Sequence, residues 1–300
     1  MIDRHWDGIA AYCKPENKVS LGFVEDLNNK IRVIQRRAYG LRDQEYLRLK
    51  VLTCMLPALS SYPKYQLDFP MSLDFIMMLT RNDRTVDDAD EVVESIIDWG
   101  VRHIGFKDIG VPPAVMRSVV RKIRAARAVS YLEVVSTTSE AVVTSLAAGR
   151  DLGVDRILGG TNTEAAKGIL NDLRGYYPFP GLPIGHPTKL GGSAALIAEH
   201  CRAARAVGCG GVDLLAYRAT EADPLNLVRA ARGALNGGRL IIAGSVKSRE
   251  QIHALAEAGA DAFTIGSAAF DGSFSPSKGS LRGQIRDILD ACETAPKLAA

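Results

Sequence analysis

Cysteine is scarce in this 300-residue chain, and the five present (Cys13, Cys54, Cys201, Cys209 and Cys292) are odd in number and scattered. That excludes a disulfide framework and points to a reduced, cytoplasmic protein. Histidine is equally scarce, with five residues, and no His, Cys or carboxylate group has metal-site spacing. Neither a metal nor another cofactor is expected. No run approaches the roughly 18 apolar residues of a membrane helix. The opening "MIDRHWDGIAAY" has no signal-peptide core, so neither secretion nor a membrane partner is expected.

An excess of charge is also missing from most of the chain. The net charge is +3, and the first 70 residues carry 11 of the 37 Lys and Arg but only 8 of the 34 Asp and Glu. Residues 71–300 therefore hold 26 of each sign. A neutral body lacks the broad positive field of sequence-independent nucleic-acid binding, so a nucleic acid is not the expected partner and a small molecule is.

What is present divides near residue 70. Phe23, Leu27, Ile31 and Ile34 are spaced four, four and three apart, one face of a helix that Ser20 can cap and that Arg32, Arg36 and Arg37 close. A second helix is predicted from Asp43 to Met55. A solvated basic hairpin packed on something is one reading of this segment. The wording "HWDGIAAYCKPENKVSLGFVEDLNNKIRVIQRRAYGLRDQEYLRLKVLTCMLP", however, resembles the C-terminal end of DDE-type insertion-sequence transposases. The resemblance implies that Glu25 corresponds to the last metal-binding carboxylate of that family. Two-metal strand transfer needs several carboxylates, and the earlier acids of the family are absent. Residues 1–57 are therefore expected to be a helical, non-functional transposase fragment fused in frame, with residues 58–72 as linker and Met71 as the former start of a second gene.

From residue 73 to 292 the text alternates strand-like and helix-period runs. Eight strands are predicted, "LDFIMML" (73–79), "RHIGFK" (102–107), "SYLEVVS" (130–136), "DRILGG" (155–160), "YYPFP" (176–180), "VDLLAY" (212–217), "LIIAGS" (240–245) and "AFTIGS" (262–267). Eight strand-helix pairs over this length predict an α/β fold of the (β/α)8 TIM-barrel type. A quasi-repeat supports it: Gly100, Gly153, Gly208 and Gly259 each end a helix just ahead of a strand.

Chemistry in such barrels sits at the C-terminal ends of the strands. Strands seven and eight end in "AGSVKSREQI" and "FTIGSAAFDG", where Gly244, Ser245, Gly266 and Ser267 leave backbone N–H groups uncovered for a phosphate. The stretch "AGSVKSREQIHALAEAGADAFTIGSAAFDG" resembles the ribulose-phosphate-binding barrels, and the resemblance implies a phosphorylated substrate.

Lys107 and Asp108 end strand two, and Glu133 lies inside apolar strand three, where an unpaired charge is expensive. A Lys107–Glu133 pair at the barrel mouth is therefore expected, giving an amine and an acid-base carboxylate, with Asp108 as the alternative acid. Arg81, with Asn82 and Asp83, ends strand one, where Asp83 or Thr85 could instead cap the next helix. The long loop "PGLPIGHPTKLGG" (180–192) offers His186 as proton donor or substrate contact and Lys189 as substrate contact. Arg218 ends strand six and suits a substrate carboxylate or a surface ion pair. His103 and His200 are not expected to be catalytic.

These residues predict an enzyme acting on a small phosphorylated sugar or keto acid, of lyase or aldolase type through Lys107. A phosphosugar isomerase or epimerase without a Schiff base is the alternative, and a transposition-related DNA-binding protein with a passenger barrel is the alternative of another class. Homo-oligomers are possible at this size.

Overall fold

A computed structural model describes residues 73–135, 138–185 and 187–296. The transposase-like segment, the linker, Met71 and His186 lie outside the described residues.

Eight parallel strands form the sheet: β1 (Asp74–Met78), β2 (His103–Lys107), β3 (Val129–Val134), β4 (Arg156–Gly159), β5 (Tyr176–Tyr177), β6 (Gly211–Leu214), β7 (Arg239–Ile242) and β8 (Ala262–Ile265). They are hydrogen-bonded in the order β6-β7-β8-β1-β2-β3-β4-β5. The ends of this series meet, because Gly210 N donates to Tyr176 O at 3.2 Å and Asp213 N to Pro178 O at 3.1 Å. The fold is thus a TIM barrel, and all eight strands fall on the predicted segments. The fifth is short for a simple reason: Pro178 and Pro180 offer no N–H to a ladder.

The helices are α1 (Ala89–Asp98), α2 (Pro113–Ala125), α3 (Ser139–Leu152), α4 (Thr163–Ile169), α5 (Ala194–Ala206), α6 (Pro224–Ala234), α7 (Arg249–Glu257) and α8 (Leu281–Glu293). Their spacing explains their burial. In α2, Met116, Val119, Val120 and Ile123 form one apolar stripe and are the buried residues. Several starts are capped as residue type dictates: Ser193, Ser248 and Ser280 each accept from the backbone N–H three residues on. The four quasi-repeat glycines have φ of 99°, 67°, 97° and 92°, the left-handed exits that let the chain drop from helix to strand.

Strand alternation sorts the core into two layers. Even positions of β2 and β3, such as Ile104, Phe106, Leu132 and Val134, face the helices. Ile76, Met78, Tyr131, Leu158, Tyr177, Ile241 and Ala262 fill the barrel interior. Gly105 makes room for this filling, because a Cβ there would sit 2.3 Å from Met78 Sδ. No helix among the described residues is long and apolar enough to cross a membrane.

Candidate functional site

At the C-terminal end of the strands a cavity of about 340 Å³ opens to solvent. Its floor carries charge and its wall is glycine-rich.

The floor begins with register. Lys107 and Glu133 are paired across β2 and β3, so both side chains emerge on the inner face at the same height. Lys107 Nζ lies 3.3 Å from Glu133 Oε1 and 2.9 Å from Asp83 Oδ1. Thr85 fixes the lysine backbone: its hydroxyl accepts from Lys107 N at 2.9 Å and donates to Lys107 O at 2.8 Å. Asp83 reaches the site because residues 80–85 do not cap α1. They form a miniature hairpin, Thr80–Arg81 against Arg84–Thr85, turned by Asn82 at φ 51° and Asp83 at φ 57°. That left-handed pair is what a two-residue I′ hairpin requires, and Asn and Asp tolerate it best. The preceding residue of α1, Asp88, makes no side-chain cap bond either.

Arg218 follows β6 in a short 3-10 turn, Ala216–Arg218. Its Nη2 is 3.2 Å from Asp83 Oδ1, and Nη1 donates to Thr188 O at 3.3 Å. The second contact ties the floor to the hairpin of Leu182–Ile184 and Lys189–Gly191, which projects after β5.

Electrostatics follow from burial and pairing. Burial works against ionised Asp83, yet Lys107 and Arg218 outweigh it and hold its carboxyl at about 2. Burial likewise works against the Lys107 ammonium, but the charges of Glu133 and Asp83 win, and its pKa is raised. Lys107 is therefore a cation at neutral pH. Asp213, on β6 and absent from the sequence-derived candidates, is fully buried, and its pKa stands well above the usual carboxylate range because of burial and the charge of Glu133.

The wall is made by the loops after β7 and β8, where Gly244, Ser245, Val246, Lys247, Gly266, Ser267 and Ala268 line the cavity. Gly244 is needed for a close approach, since a Cβ there would meet Arg218 Nε at 2.6 Å. A Cβ at Gly266 would meet Thr80 Oγ1 at 2.5 Å. Ser245 is held at φ 63°, a conformation that costs a non-glycine residue energy and clusters at binding loops. Ser245 and Val246 make no hydrogen bond to other described residues, which leaves their N–H groups at the cavity wall.

The structure thus brings together Lys107, Glu133, Arg218, Gly244, Ser245, Gly266 and Ser267. Other candidates lie elsewhere. Asp108 turns outward and accepts from Ser145 Oγ on α3. Arg81 crosses to the short helix Ser267–Phe270, donating to Phe270 O at 3.1 Å with its guanidinium 5.4 Å from the ring centre. Lys189 is exposed on the hairpin. His103 lies at the opposite end of the barrel, bonded to Tyr131 OH at 2.9 Å, and His200 accepts from Gly181 N at 3.0 Å. Among the described residues no group of three or more His, Cys, Asp or Glu is arranged to hold a metal.

Comparison with known proteins separates the two parts of the chain. Residues 1–51 match the family model of a DDE-type transposase. A curated relative, the transposase for insertion sequence element IS1001 of Bordetella parapertussis, is 52% identical over 44 residues, 15% of this chain. The chain spans only 10% of that relative's length. Among solved structures, the orotidine 5'-phosphate decarboxylase of Pyrococcus horikoshii OT3 is similar with a TM-score of 0.53 and 12% identity, over 74% of this chain and all of that one. At this identity the likeness establishes the fold. The chain therefore carries a transposase-like segment at its N-terminal end and, after it, a TIM barrel with the fold of that decarboxylase.

Proposed function

We propose that the barrel is an enzyme acting on a small phosphorylated sugar or keto acid, at the carbon next to a carbonyl. The observation that carries this reading is the Lys107 ammonium held between Asp83 and Glu133 on the floor of a cavity walled by the β7 and β8 loops. The free N–H groups of Ser245 and Val246, with Lys247, suit a phosphate. A phosphate anchored there leaves the carbonyl end of a small substrate over the floor.

Lys107 then acts as a fixed cation. A Schiff base requires the neutral amine, and two carboxylates hold the proton on Lys107. The ammonium is instead suited to stabilise the negative oxygen of an enolate, in a site that needs no reorganisation as that charge develops. Glu133 is the acid-base group, and Arg218 offers a further cation for a substrate carboxylate. Lyase chemistry and proton-transfer isomerisation both pass through such an enolate.

The test uses the full-length protein with a panel of phosphorylated keto compounds in heavy water. Deuterium incorporation next to the carbonyl, falling about 100-fold or more in Glu133→Gln, is the expected result. A borohydride-fixed adduct on Lys107 would overturn the electrostatic role and restore the imine route.

A further inference from the structure

One carboxyl group of the barrel interior takes no part in the chemistry above. Asp213 lies in the middle of β6, whose neighbours Val212 and Leu214 belong to the outer core under the helices. Alternation turns Asp213 inward, into the interior that also receives Glu133. It has no exposed surface, and neither carboxylate oxygen has a hydrogen-bond partner among the described residues. Its backbone N–H is bonded to Pro178 O, and its register neighbour on β7 is Ile241.

An ionised carboxylate in such a place would lack both water and donors, the costliest state a polar group can take in an interior. The charged groups that face it are Glu133 from β3, Lys107 from β2 and Arg218 from the turn after β6. Counting charge on the floor gives the same answer. Lys107 and Arg218 balance Asp83 and Glu133, so an ionised Asp213 would leave a surplus negative charge beneath a cavity built for an anion.

We propose that Asp213 is a proton store: a neutral carboxylic acid in the barrel interior whose proton reaches the substrate carbon through Glu133. The inference rests on the role given to Glu133 above. In the step it serves, a substrate carboxylate attached next to the carbonyl leaves as CO2, and the electron pair of the broken C–C bond stays on the substrate as an enolate beside Lys107. The proton passes from Asp213 to Glu133 and from Glu133 to the enolate carbon, which ends with a new C–H bond. Asp213 is left as the carboxylate and is reprotonated through Glu133, which lines the cavity, from water after product leaves. A site stocked with a proton in advance suits decarboxylation, which consumes one, over aldol cleavage and isomerisation, which return the one they take. Asp213 is a positioning residue acting through Glu133.

The direct test is infrared spectroscopy of the full-length protein at neutral pH. The wild type should show the carbonyl stretch of a buried carboxylic acid, and Asp213→Asn should lose it. Followed with pH in the wild type alone, the band should persist far above the normal carboxylate range. Turnover in the variant should fall about 100-fold, while the thermal shift caused by a phosphorylated ligand is kept. Absence of the band from the wild type at neutral pH, or wild-type turnover in the variant, would overturn the proposal. Failure of the functional reading looks different: the band remains, but no phosphorylated carbonyl compound shifts the melting temperature or turns over.

Discussion

The barrel interior holds two charged clusters, one at each end, and they are built on different terms. At the N-terminal end Arg239 pairs with Asp74, and His103 Nε2 lies 3.6 Å from the same carboxylate. His103 Nδ1 meets Tyr131 OH at 2.9 Å, and Arg156 donates to that hydroxyl at 2.7 Å. The Arg156 guanidinium also lies 5.4 Å and 5.9 Å from the ring centres of Tyr131 and Tyr177. Only Arg239 Nε lacks a partner there among the described residues. At the C-terminal end Asp83, Lys107, Glu133 and Arg218 line open space, two residues of the hairpin after β1 are held left-handed, and fully buried Asp213 has no hydrogen-bond partner among the described residues. Similar side chains therefore plug one end and equip the other. What separates a structural network from a working one is the unspent bonding capacity facing a cavity, and not the presence of charge.

The largest test of this contrast is Lys107→Met. It leaves Asp83 and Glu133 buried without their cation and should cost roughly 3–5 kcal/mol in urea unfolding. The matching change at the other end, Arg239→Met, should cost only about 2 kcal/mol, because Asp74 keeps 30% of its side chain in contact with water. Equal costs would break the distinction.

Acid should then separate the ends. Asp83 has a folded pKa of about 2, below its unfolded value of 3.8, so its stabilisation is present above pH 4 and is lost as pH falls towards 2. Allowing for its partial exposure, that is about 1–2 kcal/mol, and Asp83→Asn should remove this limb of the stability curve. His103 behaves in the opposite sense. Burial first, then the charges of Arg239 and Arg156, lower its pKa against the pull of Asp74. The native protein therefore binds its proton less readily than the unfolded chain, and stability falls as pH drops below about 6.5. His103→Gln should flatten the curve there at a cost of about 0.5 kcal/mol. This smallest effect sharpens the comparison by placing the two acid limbs in separate pH ranges.

Much of this was legible in the text of the chain. The eight strands could be read because each apolar run is bounded by a glycine or a helix-period stretch. The Lys107–Glu133 pair was legible because a lone carboxylate in an apolar strand demands a partner. The same signal stands in "VDLL", where Asp213 lies near the start of its strand; the observed register and its complete burial place it inside. Asp83 stayed open between the strand-end site and a helix cap for a local reason, since an Asp after a strand suits a helix cap as well as a left-handed turn. Arg81, Asp108 and Lys189 lie beyond the ends of the barrel strands, in small hairpins or a turn, where no periodicity tells which way a side chain points. Residues 5–57 resemble a transposase in wording, and that likeness carries no information about the barrel's chemistry.

The most direct measurement is thermal unfolding of the full-length protein with matched phosphorylated and dephosphorylated sugars and keto acids. A ligand at about 100 times its dissociation constant adds roughly 2.7 kcal/mol. For a domain of this size that is a shift of about 5–11 °C. Such a shift is expected with phosphorylated compounds alone, abolished when Gly244→Ala drives Arg218 and the β7 loop apart. No shift with any phosphate ester, from a barrel that unfolds cooperatively, would contradict it.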